Sequence, residues 1–149
     1  MIDAYIEKEL TEIVYKKGLF GRKIPFEKKV RYGFLFDMYC WLHMSDMEMI
    51  SLTDLGTWDD ATFIVNTCYY ACISACKDRG AKITFSKDDI AYFLDKIPYN
   101  DFKEINLMIY KSRFMGKSLE DWMKEKGQSD TKKKSGQTIL KTSQSQNLD

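Results

Sequence analysis

The stretch Trp58–Gly80, WDDATFIVNTCYYACISACKDRG, limits the fold more than any other part of the chain. Phe63, Ile64, Thr67, Cys68, Ala71, Cys72 and Ala75 recur three and four apart, the spacing of a helix face. Tyr69, Tyr70, Ile73 and Cys76 carry the apolar surface round most of the circumference, so this helix belongs at the centre of a domain. Its ends are marked. Thr57 is placed to cap the start, with Asp59 and Asp60 in the first turn. Lys77 and Arg79 lie in the last turn, and Gly80 suits a left-handed stop.

A chain of 149 residues with 44% hydrophobic and 30% charged side chains is sized for one domain with an adequate core. The net charge of +1 provides no global basic field to recruit nucleic acid. No apolar run approaches the roughly 18 residues that a membrane span needs, and MIDAYIEKEL lacks the pattern of a signal peptide. Three of the four cysteines (Cys68, Cys72 and Cys76) share a helix face and are badly placed to bridge one another. A reduced, cytoplasmic protein is expected.

The remaining segments also read mainly as helices. Met1–Lys17 places Ile2, Ile6, Leu10, Ile13 and Val14 at helical spacing, with Gly18 as the stop. Residues 19–26 read as a loop through Gly21 and Pro25. From Glu27 to Gly33 a short strand and a helix both fit. A second helix covers Phe34–Met44, and Asp46–Leu55 is weakly patterned before the Gly56 break. Ser86 opens a helix with Asp89 three residues on, a capping box, and Pro98 ends it. Another runs from Tyr99 to Met115 with Asn100 as cap, and a last starts at Ser118 and ends at Gly127. The expected architecture is all-α or mainly α: five to six helices around the central one, with room for one short N-terminal strand or hairpin. Residues 1–127 form a single domain in this reading. Residues 128–149, without aromatics and poor in apolar side chains, form a disordered tail.

No catalytic, cofactor or metal site emerges. Zinc sites draw on a close pair of ligands plus a second pair elsewhere, and His43 is the only histidine. Buried thiols behave as small apolar groups, so the cysteines read as core. Cys40 and His43 share a helix without an orienting third group. Paired acids at 59–60, 88–89 and 120–121 fall in first turns, where helix dipoles account for them. Gly18 and Gly21 fit no phosphate-loop spacing. Lys28, Lys29 and Arg31 offer a phosphate contact but have acids beside them. Methionine is abundant, and it suits adaptable apolar grooves as well as irregular cores. In the weakly patterned region Met47, Met49, Ile50 and Leu52, joined by Trp58, are the candidate partner contacts.

Three segments follow one another in chain order: VRYGFLFDMYCWL, then MEMISLTDLGTWDDATFIVNTCYYACISACKDRG, then ITFSKDDIAYFLDKI. An aromatic-Gly-aromatic strand entry, a helix, a short connection, a long apolar helix, a polar turn and a shorter acidic helix follow in turn. Over about half the chain this order resembles the tail assembly chaperones of long-tailed bacteriophages. The resemblance implies a non-enzymatic protein that coats apolar helical segments of the tape-measure protein and recruits tail tube subunits, with self-association open. It also implies a longer frameshifted product, for which Lys132–Lys134 would be the slippery region, and a C-terminal tether toward tube protein. The alternative is a small helical DNA-binding or regulatory protein with Lys28, Lys29 and Arg31 on phosphate.

Overall fold

The computed structural model describes residues 4–114 and 117–124. The proposed tail, the Lys132–Lys134 run and the Gly127 stop lie outside the described residues.

The all-α expectation is overturned by a long antiparallel hairpin. Strand β1 (Ala4–Lys17) and strand β2 (Lys23–Phe36) are 14 residues each, paired in one register from Ala4↔Phe36 to Lys17↔Lys23. From Ala4 on, the segment read as an amphipathic N-terminal helix is therefore a strand. Of the two options left open for residues 27–33, the strand is the one found, and it is longer than expected. Four helices follow: α1 (Met38–Met47), α2 (Asp60–Arg79), α3 (Lys87–Lys96) and α4 (Tyr99–Lys111). A 3-10 turn at Leu52–Thr57 links α1 to α2. A two-residue ribbon pairs Arg113 with Ser118 and Phe114 with Lys117, where a continuation of α4 to Met115 was expected. Residues 119–124 are helical and bring Leu119 into the core.

Helix α2 is central, as its sequence requires. It is buried on nearly every side from Phe63 to Cys76. Its N-cap is Asp59, two residues later than the Thr57 expected: Asp59 Oδ1 accepts from the Thr62 amide at 2.7 Å. At the other end Gly80 takes φ +67°, and the Ala81 amide reaches the Cys76 carbonyl at 2.8 Å. The capping box of α3 is complete, with Ser86 and Asp89 each bonding the other's amide. Pro98, not Asn100, occupies the N-cap position of α4.

The basal part of the hairpin lies against the helices. Ile6, Leu10, Val30, Phe34 and Phe36 share the face that joins the core. Tyr32 on the same face meets Phe93 edge-on at 4.9 Å. Lys8 reaches Glu104 and Asp101 of α4 at 2.9 and 3.4 Å. On the opposite face Arg31 pairs with Glu7 and Glu9 at 3.3 and 2.9 Å. The Tyr5 ring lies over Gly33, where an added Cβ would fall 2.4 Å from the phenol oxygen, so a larger residue there would push the exposed Tyr5 side chain aside.

One half-buried polar node ties α1 to α2. Asp37 caps α1 through the Cys40 amide at 2.9 Å and accepts from Ser74 Oγ of α2 at 2.6 Å. A second link lies nearer the surface. Glu48 accepts from Lys87 of α3 at 2.7 Å and from the Tyr70 hydroxyl. Partial burial alone would raise the Glu48 carboxyl, but these two donors hold it below the usual range.

Candidate functional site

Beyond Leu10 and Val30 the hairpin leaves the core and becomes an arm. About seven further residues per strand, each rising about 3.4 Å, give it a reach of roughly 20 Å. Glu12, held by the Tyr92 hydroxyl of α3, is the last hydrogen-bonded tie to the body among the described residues.

Alternation puts side chains on both faces of the ribbon, and apolar groups occur on each. Val14, Ile24 and Phe26 are on one face; Ile13, Tyr15 and Pro25 are on the other. Leu19 and Phe20 form the apex and are 82% and 97% exposed. Solvent-facing apolar groups on both sides of a two-stranded ribbon have no folding role that balances their exposure. The apex backbone agrees. Phe20 sits at φ +64°, ψ +22°, a left-handed conformation that disfavours a bulky side chain by about 1–2 kcal/mol. Glycine would suit the position better. Strain retained at a fully exposed phenylalanine points to use of that side chain.

The arm is also basic. Residues 11–29 hold six Lys and Arg against two Glu. Lys16 lies 4.1 Å from the centre of the Phe26 ring. Lys16, Lys17, Arg22, Lys23, Lys28 and Lys29 enter no ion pair among the described residues. Arg31, grouped with Lys28 and Lys29 as a phosphate contact, is instead engaged by Glu7 and Glu9.

The five residues singled out from sequence divide into two groups. Met47 and Met49 are exposed, Met49 at 91% and with φ +53°. Ile50, Leu52 and Trp58 are half-buried and pack against the core. The exposed methionines are joined in the α1 region by Met38 and Leu42, which were not singled out. Phe20 and Met49 are thus the two most exposed large apolar side chains, and the two non-glycine residues at positive φ, among the described residues. Sequence reading missed the arm because residues 19–26 passed for an ordinary loop. The available signal was Leu19-Phe20 between two glycines, rimmed by lysines.

The thiols offer no reactive centre. Cys40, Cys68, Cys72 and Cys76 are all buried and free. Burial pushes the Cys40, Cys68 and Cys72 thiols well up from their ordinary range. Among the described residues no group of three His, Cys, Asp or Glu side chains is placed to hold a metal ion. His43 stacks on Tyr39 at 5.2 Å and meets Tyr70 edge-on at 5.5 Å. No helix of the described residues is long and apolar enough to cross a membrane. No family model matches the chain, and no curated protein or solved structure matches it.

Proposed function

We propose that the chain is a non-enzymatic assembly chaperone of the long-tailed phage type, acting in the host cytoplasm. Its arm grips apolar helical segments of the tape-measure protein until tail tube subunits take their place. The observation that carries this reading is the order of elements. A strand through Tyr32-Gly33-Phe34, helix α1, a 3-10 link, the long apolar α2, a polar connection and the acid-started α3 follow one another as in the chaperone pattern. The arm adds an apolar apex kept in water by a rim of cations.

Magnitudes suit a displaceable grip. Burying Leu19 and Phe20 would contribute roughly 1.5–3 kcal/mol each, before the cost of association is subtracted. One copy would hold weakly, and many copies along one client would hold well.

The test is co-expression with the tape-measure protein. The wild-type chain should keep it soluble, and Leu19→Ser with Phe20→Ser should lose that ability while keeping the native melting temperature. A tape-measure protein that aggregates equally with and without the wild-type chain would end the proposal. A second reading, a DNA-binding regulator, draws on the six unpaired cations of the same two-stranded ribbon. It requires retention on DNA that weakens steeply with salt.

A further inference from the structure

The chain's charge is segregated. The arm, residues 11–29, has a net charge of +4, with six basic side chains against two acidic. From Tyr32 to Cys76 there are six acids and not one Lys or Arg. That acidic stretch includes α1, whose outward side chains Met38 and Leu42, with Met47 and Met49 at its end, are exposed and apolar. Asp46 of α1 and Asp54 of the 3-10 link that follows it are exposed and enter no ion pair among the described residues. A basic apolar wedge and an acidic apolar face thus occur in one molecule. Within a copy they do not satisfy each other: the hairpin's cross-links to the helices run to α2, α3 and α4 through Tyr5, Glu12 and Lys8, and none of the arm's cations pairs with an acid of the α1 region.

We infer that, before a client is met, the arm of one copy docks on the α1 face of a second copy, Phe20 against the methionines and lysines against Asp46 and Asp54. Charge complementarity selects this occupant. Edge-to-edge pairing of two arms is the alternative a bare ribbon invites, but it would set six unpaired cations against six more, and like charges across a ladder repel. Arm-to-α1 contact is heterologous, so each copy keeps one free arm and one free face, and copies add head to tail. The contact covers the exposed apex while no client is present. This step alone rests on the chaperone reading, since there the client competes for the same arm.

The experiment is sedimentation velocity on the full chain, with two charge-reversed variants at exposed positions. The wild type should form a concentration-dependent series of oligomers at low salt. Its apparent association constant should fall by about tenfold or more at high salt, as screening shortens the reach of the charges. Lys16→Glu with Lys17→Glu should be monomeric, and so should Asp46→Lys with Asp54→Lys. Mixing the two should restore association in equal proportion, because the unaltered arm of one variant then meets the unaltered α1 face of the other. A monomeric wild type at low salt, a variant that assembles alone as the wild type does, or a mixture that stays monomeric would each overturn the inference. A monomeric wild type retained on DNA or on anionic vesicles would overturn it in favour of those ligands. Oligomers without tape-measure solubility would fail only the chaperone reading; solubility without oligomers would fail only the docking.

Discussion

The basal and distal halves of the hairpin share one uninterrupted register and both carry apolar side chains, yet they are different materials. At the base, Phe34 and Phe36 are sealed by α2 and Leu10 by the same core. At the tip, Phe20, Leu19 and Tyr15 face water. Backbone pairing is the same in both. Cover differs, and cover decides whether an apolar side chain contributes to folding or to recognition.

The sharpest way to break that contrast is to truncate one phenylalanine in each half. Phe34→Ala should cost about 3–5 kcal/mol by denaturant unfolding, because it empties a fully buried site. Comparable losses from Phe20→Ala would show the tip to be covered after all. Next in size, Ser74→Ala leaves the half-buried Asp37 with one donor fewer and should cost about 1–3 kcal/mol, with no change in client binding. Phe20→Gly should raise stability by up to about 1 kcal/mol by releasing the left-handed strain, while abolishing client solubilisation. A gain in stability with loss of function at one position would separate tip from base more cleanly than any truncation.

The smallest effect is linked to pH. Glu48 has a folded-state value below its ordinary 4.5, so its contribution is complete above that value and is lost as pH falls through the folded one. Glu48→Gln should therefore lie below wild type at neutral pH, and the two stability curves should converge under acid. Parallel curves would show that Lys87 and Tyr70 do not hold the carboxylate in solution.

Where the sequence could be read and where it could not follows from periodicity. Helix α2 was legible because its apolar residues fall three and four apart over five turns and its glycine stop is unambiguous. The α3 capping box was legible because Ser86 and Asp89 occupy fixed offsets. Strand β1 was not. Ile2, Ile6, Leu10 and Val14 are four apart, and four is a helical repeat and also twice the strand repeat. Only the intervening Lys8 and Glu12 separate the two patterns, and as partly covered side chains on the core-facing side they looked like the polar flank of a helix. The all-α expectation grew from that one ambiguity. The five-residue connection Gly18–Arg22 hid the hairpin further, since it lacks the Asn-Gly or Asp-Gly signal of a two-residue turn. The exposure of Met47 and Met49 was legible from weak patterning, whereas that of Leu19 and Phe20 depends on the pairing of strands that sequence reading left undrawn.

The unbroken register has a consequence for how such a molecule can vary. With no bulge between Ala4↔Phe36 and Lys17↔Lys23, inserting a single residue in either strand would turn every side chain outboard of it upside down, while adding two to both would merely lengthen the reach. Relatives of this chain should therefore differ in the span of this projection by even steps, like notches on a ruler, and an odd step should be accompanied by a compensating kink.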